Sequence, residues 1–126
     1  MRQFVIFVLI LAGVASGRPQ AKVSQQAVIL TWTAPSSSPD PVAGYDAFRA
    51  PSGGTSYQQI NSLEIPAAVT TYTDAGPLTS GATYNYIVES VDASGVDSGP
   101  TNTAVVPIPT WNPPTVLAAP TVVIKP

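Results

Sequence analysis

Apolar and polar residues alternate strictly over Val28, Leu30 and Trp32, and again over Tyr84, Tyr86 and Val88. Such period-two runs mark strands with one face buried. Gln26 to Thr33 is predicted as a strand with Val28, Leu30 and Trp32 inward and Ile29, Thr31 and Thr33 outward. Ala43 to Ala50 follows, with Tyr45 and Ala47 on one face and Asp46 and Phe48 on the other. Tyr57 to Ile60 reads as a short edge strand, Thr70 to Asp74 as another short strand. Ala82 to Val91 is the longest strand, and Thr101 to Val106 is the last, ended by Pro107. Between them lie turn-rich stretches at 35–41, 51–54, 75–77 and 92–100, where Pro and Gly interrupt any ladder. Lys22 to Ser24 is a candidate for a truncated first strand. Six or seven strands, with a large Trp early and Tyr residues late, predict an all-β, two-sheet sandwich.

Two segments depart from this pattern. Phe4 to Ala15 is an uncharged apolar run behind Met1-Arg2 and ahead of the small residues Ala15-Ser16-Gly17. This is the layout of an export signal cleaved after Gly17, and the run is short of the roughly 20 residues a spanning helix needs. The expected location is therefore secreted or in the cell envelope, with an uncleaved N-terminal membrane anchor as the alternative. At the other end, six of the fourteen prolines fall within residues 107–126, which biases that stretch to extended conformations. The expected organisation is a signal at 1–17, one sandwich domain at 18–107 and a Pro-rich tail or linker at 108–126.

Composition removes several chemistries. The chain has no His and no Cys, so a Ser-His-Asp or Cys-His catalytic set, a Cys-based metal site, a disulfide and a lipoprotein anchor are all excluded. Charged residues make up 10% of the chain and its net charge is −2. With no basic cluster, it lacks the electrostatic footprint of a nucleic-acid or anionic-lipid binder. No nucleic-acid partner is expected, and membrane contact only through the N-terminal segment if it is retained.

The residues also carry a resemblance. Ala27-Val28-Ile29-Leu30-Thr31-Trp32 and Val42-Ala43-Gly44-Tyr45-Asp46-Ala47-Phe48-Arg49 resemble the B and C strands of a fibronectin type III domain. Thr71-Tyr72-Thr73-Asp74, then Leu78-x-x-Gly81-x-x-Tyr84-x-Tyr86-x-Val88, then Val91-Asp92-x-x-Gly95-x-x-Ser98 are similar to its E strand, E–F corner with F strand, and F–G loop. The resemblance covers about residues 20–107 and has the flavour of modules in exported bacterial proteins. It implies an immunoglobulin-like β-sandwich of six to seven strands. Its core would be built on Val28, Leu30, Trp32, Tyr45, Leu78, Tyr84, Tyr86 and Val88, and the Tyr84 hydroxyl would bond backbone across the E–F turn. The chain departs from the family at its first strand, which is cut short because only Gln20 to Gln25 precede strand B after the expected cleavage, so one edge is expected to be open or covered by something else.

Candidate chemistry is sparse. Phe48 and Ile87, beside Asn85 and Glu89, are expected on the outer face of the sheet holding strands C and F, where exposed apolar side chains mark a binding patch. Asp46 and Glu89 face outward on those neighbouring strands and form the one carboxylate pair a small hydrolase could use. Lys22 and Lys125 are the candidates for a Ser-Lys pair, and both are expected in solvent. Asp92-x-Ser94-Gly95-x-Asp97-Ser98 has the outline of a calcium loop without its acids or closing Glu, and reads as turn formers bonding their own backbone. No metal and no cofactor are implied. The expected function is a non-catalytic binding or spacer module that meets a protein or glycan partner at the cell surface through loops 34–41, 51–56 and 92–100 and the Phe48/Ile87 face. A second reading is a structural subunit assembling by strand addition through its tail, where Trp111, Val116-Leu117 and Val122-Val123-Ile124 are apolar. A third is the carboxylate-dependent hydrolase.

Overall fold

Strand-forming segments separated by Pro- and Gly-rich turns produce eight antiparallel strands in a computed structural model that describes residues 7–12, 26–36 and 38–110. The strands are β1 (Phe7–Ala12), β2 (Gln26–Thr31), β3 (Val42–Pro51), β4 (Gln58–Gln59), β5 (Ile65–Pro66), β6 (Thr71–Asp74), β7 (Thr83–Asp92) and β8 (Ala104–Pro107). One sheet has the order β1-β2-β6; the other has β4-β3-β7-β8, with β5 also pairing β3. No helix occurs among the described residues.

The alternation read in the sequence becomes the core. Val28 and Leu30 are fully buried and Trp32 nearly so, facing Tyr45, Ala47, Tyr86 and Val88 from the other sheet. Leu78 and Tyr84 are half-buried and pack against this cluster. Trp32 and Tyr45 meet edge to face, with ring centroids 5.2 Å apart and an interplanar angle of 66°. That is the arrangement aromatic quadrupoles favour, and it fills the ~10 Å gap between sheets. Burying a side chain of this class stabilises by about 2–3 kcal/mol. The core also runs past the last strand: Ile108 is buried, its N–H donates to the Ala82 carbonyl at 2.7 Å, and its own carbonyl accepts from Gly81 N–H at 3.1 Å.

Two elements were not expected. β5 forms within the 61–69 connection, where Gly44 and Tyr45 pair with Pro66 and Ile65. β1 lies inside the apolar N-terminal run and pairs with β2 along its whole length, from Phe7 opposite Thr31 to Ala12 opposite Gln26. It also approaches β8 at the edge of the other sheet. A signal segment and an edge strand share one composition, an uncharged run rich in Val, Ile and Leu, so the same residues satisfy both patterns. The candidate strand at Lys22 to Ser24 and the residues from Trp111 onward lie outside the described residues.

Register fixes which loops share an end. β3 begins and β7 ends at the same place, with Val42 opposite Asp92, while at the far end Pro51 stands opposite Tyr84. The 38–41 and 92–98 loops therefore flank each other. The 51–54 turn lies at the opposite end, where Ser52 N–H donates to the Thr83 carbonyl at 2.9 Å. That far end is also where β2 begins and the chain leaves β8: Gln26 Nε2 donates to the Pro109 carbonyl at 2.9 Å.

Candidate functional site

A shallow pocket of about 280 Å³ opens where the β2–β3 loop meets the β7–β8 loop, lined by Asp40, Pro41, Val42, Val91, Val96 and Asp97 among others. Its floor comes from the paired strand ends and its rim from the two loops. The 92–98 loop is stiffened by its own backbone. Asp92 N–H donates to the Val96 carbonyl, Gly95 N–H to the Asp92 carbonyl, and Ser98 N–H to the Ser90 carbonyl at 2.7 Å. Gly95 takes a positive φ of 81°, open to glycine without cost. The Asp92 carboxylate accepts from Ser94 Oγ at 2.6 Å, Ser94 N–H at 2.8 Å and Val96 N–H at 3.0 Å. These bonds, the Ser94 hydroxyl foremost, hold the Asp92 carboxyl below the usual range. The side chains of Asp92 and Ser98 thus bond the local backbone. Val96 stands 61% exposed on the rim.

On the outer face of the five-stranded sheet, Phe48 sits opposite Ile87, Asp46 opposite Glu89 and Ala50 opposite Asn85. The four expected binding residues are brought together, but they do not form an exposed apolar patch. Ile87 is only 8% exposed and Phe48, Asn85 and Glu89 are half-buried. Parity assigns a side chain to a face and not to solvent: β7 is central, with β3 on one side and β8 on the other, so Ile87 is flanked from both. The three loops expected to act together also divide, 34–41 and 92–100 at one end and 51–56 at the other.

The carboxylate pair is close as expected, yet Asp46 is committed. Its Oδ1 accepts from Asn61 Nδ2 at 2.6 Å and from Gln59 Nε2 at 2.9 Å. Asn61, buried, turns its Oδ1 to Ala47 N–H at 2.8 Å and so continues the β3 ladder with a side-chain amide. Glu89 lies near Asp46 and Asp97; burial first, then these two like charges, raise its carboxyl above the usual range. Neither Asp46 nor Glu89 lines the pocket.

A second cluster was not foreseen. Asp74, 4% exposed at the end of β6, accepts from Arg49 Nη1 at 2.7 Å and from the Tyr86 hydroxyl at 2.8 Å through Oδ2, and from Gly76 N–H at 2.9 Å through Oδ1. Burial, then the Asp74 carboxylate, pushes the Tyr86 hydroxyl well above its usual range. The Arg49 guanidinium lies 5.2 Å from the centroid of the Tyr84 ring, within cation–π reach. Tyr84 Oη accepts from Thr79 N–H at 3.1 Å, the cross-turn bond expected of it. The cluster pins β6 of one sheet to β3 and β7 of the other. It braces the end opposite the pocket, and each of its polar atoms named here is already partnered.

No protein-family model matches the chain, and no curated protein matches it in sequence. Solved structures do. The fibronectin type III domain of human collagen alpha-1(XX) is similar with a TM-score of 0.54 and 21% identity over 71% of this chain and 77% of that one. Module A71 of titin from human cardiac muscle gives 0.53 and 20% over 66% of this chain and 78% of that one. The twitchin kinase region of C. elegans gives 0.53 and 26% over 66% of this chain, which spans only 14% of that longer protein. A pectate lyase, Pel3 of Pectobacterium carotovorum, gives 0.56 and 20% over 94% of this chain and 29% of the enzyme. With the two sheets and their register, these likenesses define an all-β, immunoglobulin-like sandwich. Within that class the fold is fibronectin type III-like.

Proposed function

We propose that the chain is a non-catalytic, exported binding module of the fibronectin type III kind, meeting a protein or glycan partner through the end built by residues 38–42 and 90–98. The pocket at that end carries the reading: its rim is preorganised by backbone bonds within 92–98, so little loop ordering opposes binding. Val42 and Val96 offer apolar contact, and Asp40 and Asp97 offer acceptors to hydroxyl or amide donors. The outer face contributes less than its sequence suggests, because Ile87 is buried. Asp46, held by two amides, is poorly placed to serve as an acid or base, which favours binding over hydrolysis. Similar structures include single modules and much longer proteins of which such a module is a small part. A supporting role beside other domains fits this reading.

The test is calorimetric titration of the purified chain with soluble polysaccharides and envelope glycopeptides, beside a Val96→Arg variant. Saturable binding weakened tenfold or more in the variant, on the order of 1.4 kcal/mol, supports the pocket. Equal binding by both chains places the contact elsewhere. A folded chain that binds none of the probes leaves a passive spacer.

A further inference from the structure

The edge of β2 is the place where sequence and structure make competing claims. In the sheet order β1-β2-β6, β2 is interior only because β1 is present. β1 is Phe7–Ala12, within the segment read as an export signal cleaved after Gly17. Trp32 N–H donates to the Thr70 carbonyl on the β6 side, and amide directions alternate along a strand. The amides of Ala27, Ile29 and Thr31 therefore point toward β1. Loss of β1 strips three donors and their carbonyls of partners on a strand whose Val28 and Leu30 are core residues, and an edge of this kind is a template for another strand.

Pro109, close to the last described residue, is already beside the start of that strand. Gln26, the first residue of β2, holds the Pro109 carbonyl through Nε2 at 2.9 Å. Seventeen residues follow Pro109, and they include Thr121-Val122-Val123-Ile124 between Pro120 and Lys125-Pro126. This is a β-branched run bounded by residues that end strands. Thr110 to Pro120 can span up to about 36 Å, against a β2 edge of about 20 Å, so the run reaches either end of the seat. Tethering by so short a linker gives an effective concentration in the millimolar range.

We propose that the β2 edge is a strand-acceptor seat filled in succession: by Phe7–Ala12 while the N-terminal segment is attached, and by Thr121–Ile124 of the same chain once residues 1–17 are removed. The N-terminal segment then covers the edge for as long as it is attached, and the tail closes it after removal without a second molecule. The inference rests on the export reading and is independent of which partner the pocket binds.

The experiment is export of the full chain from a bacterial host, mass determination of the product's N-terminus, and residue-resolved hydrogen exchange. The same measurements are made on Val123→Pro and Ile124→Asp variants, which alter residues beyond Ile108, the last buried core residue among the described ones. The expected result is a product starting at Arg18, monomeric at all concentrations, with Ala27, Ile29, Thr31 and residues 121–124 protected. Both variants should lose about tenfold or more of that protection. A product that starts at Met1 overturns the proposal by removing the cleavage step. A product starting at Arg18 whose 121–124 amides exchange freely overturns the seat while leaving the export reading intact. Protection that depends on protein concentration overturns the same-chain assignment in favour of exchange between copies.

Discussion

At one end of the sandwich, Asp74 joins both sheets through Arg49 and Tyr86, and Tyr84 closes the neighbouring corner by accepting from Thr79 N–H. At the other end, Asp40, Asp92 and Asp97 surround a pocket, and the bonds of Asp92 stay within its own turn. Both ends carry carboxylates on similar strand termini. At the braced end the acid is buried and partnered across the sheets, so it carries stability. At the open end the acids are paired locally or exposed, so they are free to vary or to bind. A carboxylate's contribution depends on what it bridges more than on where it falls in the sequence.

Four substitutions break or sharpen this contrast. Asp74→Ala leaves the Arg49 cation and the Tyr86 hydroxyl without their acceptor. With Arg49 20% exposed, the cost is expected at the lower end of the range for broken buried pairs, about 3 kcal/mol in urea unfolding. A loss below about 1 kcal/mol would remove the distinction between the ends. Gly76→Ala, beside the same carboxylate, places a Cβ at a φ of 88° and against the Leu78 backbone nitrogen. It should cost about 1–3 kcal/mol, read from the same midpoint. Tyr84→Phe keeps the ring under Arg49 and removes a single, exposed hydrogen bond, for about 0.5–1 kcal/mol.

Glu89→Gln probes the other side of the contrast and reverses the sign. Because the folded-state carboxyl is raised, its neutral form is favoured by folding. That contribution is present below the unfolded carboxylate pKa and is lost as pH rises through the folded value. At pH 7 the charged side chain faces Asp46 and Asp97, so the glutamine variant should be more stable by about 0.3 kcal/mol, with the gain vanishing below pH 4. Thermal melts at the two pH values decide it. A loss of stability at pH 7 would mean that Glu89 has a favourable partner.

The braced end and the core differ in how far the sequence announced them. Val28, Leu30 and Trp32 were legible because period two reports a buried face directly, and Tyr84 because its corner is local, five residues from Thr79. Asp74 was not. It ends a short strand ahead of Ala75-Gly76-Pro77, where an acid reads as a turn former, and its partners lie 25 and 12 residues away on the other sheet. Periodicity names faces and does not say which strands meet across the gap. The same limit explains Ile87, whose outward face was read correctly and whose burial depends on neighbouring strands. Phe7–Ala12 was obscured for a different reason, since strand and signal draw on one composition. The pocket was half legible: both of its loops were named, together with a third that the register sends to the opposite end.

The hydrogen bond between Gln26 and Pro109 also bears on how such a module is connected. From β2 to β8 the chain enters and leaves at neighbouring points, so this part of the sandwich behaves as a loop with a narrow neck. It is suited to insertion within a surface turn of a host domain, where a bead on a string would need its ends far apart. The same neck makes a circular permutant feasible. Joining 109 to 26 through a short linker and opening the chain at the exposed Gly95 turn would retain β2 to β8 in their present registers.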